Sequence, residues 1–155
     1  MLNPEQTRDK LQYILGTLHD GETGYREAAE NATDPQLKSM LSDLGAKRSE
    51  LAGQIETVIL NMGEKPREHG SAGAALHRAW LNVRDAVTGR DDYAVVAEAE
   101  RGEDVAVQNY QDVLQDDLPL EVKALLEQQY SVVKANHDRV SALKNSMEAT
   151  RNLKG

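Results

Sequence analysis

Apolar residues recur every three or four positions over four long stretches of the chain, which is the spacing of one face of an α-helix. The stretches are residues 4–31, 34–62, 91–116 and 119–150. Asn3 and Pro4 supply a helix N-cap and a first-turn proline at the start of the first stretch. No stretch shows the sustained alternation of apolar and polar residues that is typical of a strand. The pattern predicts an all-α protein.

The connections between these helices predict how they are arranged. The turns "NATDPQ" at 31–36 and "QDDLPL" at 115–120 are short, so the first and second helices, and the third and fourth, form antiparallel pairs. The segment 63–90 is much longer and contains a shorter predicted helix at 71–88. We expect it to be a long crossover that lets the second and third helices run in the same direction. The prediction is one domain, residues 1–155, with a ferritin-like four-helix-bundle architecture.

Each long helix also places a polar residue on its apolar face. These residues are Glu22, Arg48, Glu103 and Gln129. At a rise of about 1.5 Å per residue, the four positions fall at similar depths in the predicted bundle. We therefore expect them to meet in one buried polar layer.

Glycines accompany this predicted layer. Gly21 and Gly24 flank Glu22, Gly45 precedes Arg48 by three residues, and Gly102 directly precedes Glu103. Glycine in a helix interior is unfavourable by up to about 1 kcal/mol relative to alanine. The glycines indicate a close approach of two helices, space for a bound group, or a kink in the first helix.

Composition and charge exclude several classes of function. The chain of 155 residues has a formal net charge of −8 and no basic stripe, which argues against binding to nucleic acid or to an anionic membrane. It contains no cysteine, so thiolate chemistry and cysteine-based zinc sites are excluded. The opening "MLNPEQTRDK" is unlike a signal peptide, and no apolar run approaches the ~20 residues of a membrane span. We expect a cytoplasmic location.

Four stretches of the sequence resemble a known family. They are "DGETGYREAAEN", "GSAGAALHRAW", "AERGEDVAVQNY" and "EQQYSVVKANHDRV". Together with the two long hairpins and the crossover, they resemble a branch of small bacterial four-helix-bundle proteins, classed as a ferritin-like domain of unknown function. The resemblance covers nearly the whole chain and implies the fold. Some relatives are associated with stress responses, but the resemblance implies almost nothing about activity.

The di-iron pattern of ferritin-like proteins matches this chain only in part. Such sites combine carboxylates from two helices with Glu-x-x-His motifs from the others. By this resemblance, Glu22 and Glu103 match two carboxylates and Gln129 resembles a glutamine of classical ferritins. Arg48 stands where a Glu-x-x-His should begin, and the sequence contains no such motif. Because an arginine opposes a dication and can instead pair with carboxylates, we interpret the four residues as a Glu-Arg-Glu-Gln network in place of a di-iron site.

Two functional hypotheses follow. The first is a non-catalytic, stress-associated structural or interaction protein, with a homodimer through an outer helix face as one option. The alternative is a protein that binds iron or another divalent metal through Glu22, Glu103, Gln129 and His137, with oxidase or storage activity. The missing ligands on the second helix favour the first hypothesis. We predict no catalytic residues and no organic cofactor.

The remaining candidates have both a structural and a functional interpretation. His137 and Glu98 form half of a weak metal site, or His137 is an ordinary helix-surface histidine, which we favour. Trp80 either packs against the bundle, which we favour, or stacks on a ligand. Three tyrosines are expected near the polar layer and would complete its hydrogen bonds. They are Tyr25, Tyr110 and Tyr130. An acidic adaptor that binds a partner helix is a third, weaker hypothesis.

Overall fold

Four long helices make up nearly all of the part of the chain that the structure describes. A computed structural model describes residues 1–67 and 91–154, the last four of these through the backbone alone. The helices are α1 (Pro4–Asn31), α2 (Pro35–Asn61), α3 (Asp92–Leu114) and α4 (Leu120–Lys154). The described residues include no strand, which confirms the prediction of an all-α four-helix bundle. The predicted helix at 71–88, including His77 and Trp80, lies outside the described residues.

Local sequence signals explain where three of the helices begin. The Asn3 side chain accepts a hydrogen bond from the Gln6 amide, while the Gln6 side chain accepts one from the Asn3 amide, forming a capping box. Asp34 caps α2 and Asp91 caps α3 through their side-chain carboxylates, each of which accepts a hydrogen bond from a backbone amide in the first turn of its helix. The predicted bounds hold to within two residues for α1, α2 and α3. Helix α4 continues to Lys154, beyond the predicted end at 150.

Contacts at the two ends of the bundle fix the directions of the helices. At one end, the Asp92 carboxylate at the start of α3 accepts hydrogen bonds from the backbone amides of Thr33 and Asp34, in the turn between α1 and α2. At the other end, the Leu2 amide donates to the Asp117 carbonyl in the turn between α3 and α4 at 2.8 Å. Helices α2 and α3 therefore both start at the first of these ends and run in the same direction, which confirms the predicted parallel pair.

The apolar core consists of two clusters along the bundle axis. The upper cluster, nearer the α1–α2 turn, contains Tyr25, Ala28, Ala32, Leu37, Leu41, Leu44, Val95, Val96, Ala99 and Val140. The lower cluster contains Leu11, Ile14, Leu15, Leu18, Leu51, Ala52, Ile55, Ile59, Ala106, Tyr110, Val113, Leu118, Leu126 and Val133. Along α2 and α3, the positions between the clusters hold Arg48 and Glu103, both fully buried. A charged pair thus separates the two apolar regions.

Each of the four helices contributes buried apolar side chains to the core. No helix among the described residues has a stretch both long enough and apolar enough to cross a lipid bilayer.

Candidate functional site

Arg48 on α2 and Glu103 on α3 form an ion pair in the middle of the bundle. Arg48 Nη2 lies 2.5 Å from Glu103 Oε1, and neither side chain is exposed to solvent. The Tyr25 hydroxyl on α1 donates a hydrogen bond to the same carboxylate oxygen. The guanidinium carbon of Arg48 also lies 5.9 Å from the centroid of the Tyr25 ring, within the range of a cation–π contact. We call Tyr25, Arg48 and Glu103 the ionic layer.

Two glycines make room for this ionic layer. A Cβ atom at Gly21 would lie 2.9 Å from Arg48 Nη1, which is too close for any larger side chain without movement of the arginine. A Cβ atom at Gly45 would lie 3.3 Å from the Tyr25 Cβ, so Gly45 allows α2 to approach α1 closely. Of the explanations that the sequence left open, close approach of two helices accounts for Gly45, whereas Gly21 leaves space for the Arg48 side chain.

The electrostatic environment fixes the charge state of the layer. Burial raises the pKa of Tyr25 well above its usual value, and the neighbouring Glu103 charge raises it further. Burial tends to lower the pKa of Arg48, but the Glu103 carboxylate raises it and the net pKa shift is upward. The layer therefore holds a protonated guanidinium and a neutral phenol. Neither group is a base or a nucleophile at neutral pH.

The hydrogen bonding of the ionic layer is incomplete within the described residues. Arg48 Nε, Arg48 Nη1 and Glu103 Oε2 are buried and have no hydrogen-bond partner there. Each buried polar atom without a partner is unfavourable by about 1–3 kcal/mol. The ion pair is thus held by one strong contact, together with the Tyr25 hydrogen bond.

Glu22 does not join this layer, so the prediction that it is buried there is wrong. Its side chain is 27% exposed, and its carboxylate lies 3.6 Å from His19 Nδ1. The buried face of α1 runs through Leu18, Gly21 and Tyr25. This spacing of three and four residues places Gly21 toward the core and turns Glu22 to the edge of the helix.

Gln129 is fully buried, as the sequence predicts, but it belongs to a second polar cluster. Its Oε1 atom accepts a hydrogen bond from the Tyr110 hydroxyl at 2.9 Å. Its Nε2 atom donates to the Leu51 carbonyl at 3.1 Å and to Gln54 Oε1 at 2.9 Å. We call Gln129, Tyr110, Gln54 and the Leu51 carbonyl the amide cluster.

The register of α3 against α4 explains why Gln129 lies in a separate cluster. Contacts join Tyr110 to Gln129 and Asp104 to His137. Because the two helices are antiparallel, Glu103 is therefore level with residues 136–138 of α4 rather than with Gln129. If the two helices were symmetric about the middle of the turn, near residue 117, Glu103 would be level with about residue 131. The observed contacts show instead that α4 begins several residues further down the bundle than the point where α3 ends.

His137 contacts carboxylates other than the one predicted. Its Nε2 atom lies 2.6 Å from Asp104 Oδ1 and its Nδ1 atom lies 3.0 Å from Asp138 Oδ1. Glu98 instead pairs with Arg101 on its own helix at 3.4 Å. Within residues 1–67 and 91–154, no three or more His, Asp or Glu side chains are grouped so that they could hold a metal ion. The structure does not bring Glu22, Glu103, Gln129 and His137 together as a ligand set.

A buried polar group between α1 and α3 was not predicted from the sequence. Asn109 on α3 accepts a hydrogen bond from the Tyr13 hydroxyl at 2.8 Å and donates one to Thr17 Oγ1 at 3.1 Å, both on α1. Asn109 directly precedes the buried Tyr110, and this adjacency to the apolar face was the signal available in the sequence. Tyr130 pairs with the exposed Gln111 and does not reach the ionic layer.

Most of the chain matches one family of unknown function. The match to the family model covers residues 6–116, more than half of the 155 residues, and includes all three members of the ionic layer. Gln129 and His137 lie beyond the matched residues. A comparison with curated proteins finds no match. The chain belongs to the family described as Domain of unknown function (DUF2383).

Proposed function

We propose that this protein is a non-catalytic member of the ferritin-like superfamily in which an arginine–glutamate pair replaces a di-iron centre. The observation that carries the proposal is the fully buried contact between Arg48 Nη2 and Glu103 Oε1. A guanidinium bound to this carboxylate neutralises the charge that would otherwise attract a cation. Its own positive charge also repels a divalent ion at the same place.

Hydrogen bonds between the two hairpins support a structural role for the buried polar groups. Glu103 on α3 accepts from Arg48 on α2 and from Tyr25 on α1. Gln129 on α4 donates to the Leu51 carbonyl on α2. Each of these contacts joins the α1–α2 hairpin to the α3–α4 hairpin. We infer that they fix the register of the two hairpins, which is the best-attested role of buried polar groups in helical assemblies.

The resemblance to stress-associated bundle proteins supports a cytoplasmic structural or interaction role under stress. Formation of a homodimer through an outer helix face is part of the same proposal. Sedimentation equilibrium over a range of protein concentrations tests it, because a homodimer has twice the mass of the 17.1 kDa chain. A monomer at every concentration would contradict this part of the proposal.

Metal analysis tests the non-catalytic assignment directly. The protein is purified without chelator, analysed for its metal content, and then titrated with iron(II) in the absence of oxygen. We expect no stoichiometric metal before or after the titration. Stoichiometric iron that is lost in Glu103→Gln, but kept in the control variant Glu50→Gln, would contradict the proposal. Glu50 is a suitable control because it is an exposed glutamate paired with Lys47.

A further inference from the structure

Each helical hairpin contains one histidine that lies between two carboxylates. In the α3–α4 hairpin, His137 Nε2 lies 2.6 Å from Asp104 Oδ1 across the hairpin, and Nδ1 lies 3.0 Å from Asp138 Oδ1 on the same helix. The His137 side chain is 20% exposed, so it is largely packed between the two helices.

The α1–α2 hairpin repeats this arrangement. His19 Nε2 lies 3.4 Å from Glu56 Oε1 on α2, and His19 Nδ1 lies 3.6 Å from Glu22 Oε2 on its own helix. In both hairpins, one ring nitrogen faces the neighbouring helix and the other faces a carboxylate on the same helix.

The protonation state of the ring decides whether both contacts are favourable. A neutral imidazole has one N–H donor and one acceptor nitrogen, so it can donate to only one of two carboxylates. Its other nitrogen then directs a lone pair toward a negatively charged oxygen. The imidazolium ion donates from both nitrogens and carries the charge that attracts both carboxylates. The observed geometry is complete only when the histidine is protonated.

We propose that His137 is a protonation-dependent clasp, which joins α4 to α3 through Asp104 and stabilises the bundle as the pH falls from about 8 to about 6. This inference goes beyond the proposed function and does not depend on it. The clasp lies at the edge of its hairpin, with the His137 side chain 20% exposed, whereas the ionic layer is fully enclosed.

Charged groups around His137 come from both helices of its hairpin. Asp104 and Glu100 face it from α3, while Asp138 and Lys134 face it from α4. Burial tends to lower the pKa of His137, but hydrogen bonds to Asp138 and Asp104 raise it and the net pKa shift is upward, despite the opposing charge of Lys134.

The sign of the effect follows from this upward shift. A histidine whose pKa is higher in the folded state than in the unfolded state binds more protons when folded. Its stabilisation is therefore fully present below the unfolded pKa of about 6.5 and is lost as the pH rises through the folded pKa. The bundle should consequently be more stable at slightly acidic pH than at slightly alkaline pH.

The experiment measures urea midpoints from about pH 8 to about pH 5.5 for the wild-type protein and for the variant His137→Gln. We expect the wild-type midpoint to rise toward acidic pH and the variant profile to lose at least half of that rise. The other three histidines, His19, His69 and His77, remain in both proteins, so the difference isolates the clasp. Asp104→Asn should reduce the rise in part, whereas Glu50→Gln, which alters an exposed pair without histidine, should leave it unchanged.

Nuclear magnetic resonance titration of the ring protons gives a readout in the wild-type protein itself. We expect His137 to titrate above the unfolded value of about 6.5, and to titrate lower in Asp104→Asn. A His137 that titrates at or below this value, or wild-type and His137→Gln profiles with the same dependence on pH, would overturn the proposal.

Discussion

The ionic layer and the amide cluster both lie inside the bundle, and they differ in how completely their atoms are hydrogen-bonded. In the amide cluster, both polar atoms of the Gln129 side chain have partners. In the ionic layer, two nitrogens of Arg48 and one oxygen of Glu103 have none among the described residues. The amide cluster is neutral, while the ionic layer carries two buried charges. The ionic layer therefore depends on mutual charge compensation, whereas the amide cluster depends on hydrogen-bond complementarity.

This difference predicts that breaking the ionic layer has the largest effect. Arg48→Leu leaves the Glu103 carboxylate buried without its counter-charge, which should lower the free energy of unfolding by about 3–5 kcal/mol. Urea denaturation measures the change. In the double variant Arg48→Leu/Glu103→Leu, most of the loss should be recovered, because no unpaired charge remains. A loss below about 1 kcal/mol in the single variant would place Arg48 outside the core.

Breaking the amide cluster should have a smaller effect. Gln129→Leu leaves the Tyr110 hydroxyl and the Leu51 carbonyl without the partner that they have now, and should lower the free energy of unfolding by about 1–3 kcal/mol. The same urea experiment measures it. If Gln129→Leu proved more damaging than Arg48→Leu, the ranking of the two clusters by charge would be wrong.

Crowding the ionic layer should have a smaller effect again. Gly21→Ala places a methyl group 2.9 Å from the present position of Arg48 Nη1, and the enclosed arginine must shift. We expect the free energy of unfolding, measured by thermal denaturation, to fall by about 1 kcal/mol. The unfavourable overpacking around Arg48 outweighs the higher helix propensity of alanine.

Gly53→Ala is the matched control for Gly21→Ala. Gly53 also lies inside a helix, but no atom other than those of its own helix backbone and its chain neighbours lies within 4 Å of where its Cβ would be. The free energy of unfolding of Gly53→Ala should therefore be about 0.5–1 kcal/mol higher than that of the wild-type protein, as measured by thermal denaturation. Equal gains in both variants would mean that Gly21 does not make room for Arg48.

The dependence on alkaline pH should be the mildest distinction between the two clusters. Burial raises the pKa of both Tyr25 and Tyr110, and the Glu103 charge raises that of Tyr25 further. In the folded protein these phenols remain protonated to higher pH than in the unfolded chain. Their contribution to the stability of the folded state is therefore present below the unfolded pKa of about 10 and is lost as the pH rises above it. Tyrosinate absorbance should follow global unfolding for both residues. Ionisation of Tyr25 before Tyr110 in the folded protein would contradict the assigned environments.

The periodicity of the sequence was sufficient to predict the helices and their directions. Long apolar stripes and proline-marked turns left few alternative arrangements, so the parallel pair of α2 and α3 followed from the length of the 63–90 segment. The pairing of Arg48 with Glu103 was also predictable, because both residues lie at the centre of otherwise apolar faces.

The periodicity of the sequence does not fix the rotation of a helix about its axis, or the depth of a residue in the bundle, closely enough to predict the remaining details of the site. Glu22 and Gly21 differ by 100° of helix rotation, and a stripe with spacings of three and four residues can pass through either. The depth of Gln129 depended on how the α3–α4 turn descends before α4 begins. The histidine clasp was missed because Asp104, the carboxylate that His137 contacts across the hairpin, lies on the neighbouring helix and 33 positions away in the sequence.

Crystals grown or soaked with iron(II), with anomalous scattering measured at the iron absorption edge, show whether Arg48 or a metal ion neutralises the Glu103 carboxylate. We expect electron density for Arg48 Nη2 in contact with Glu103 Oε1 and no anomalous peak beside that carboxylate. An iron peak coordinated by Glu103, with Arg48 displaced toward solvent, would contradict it.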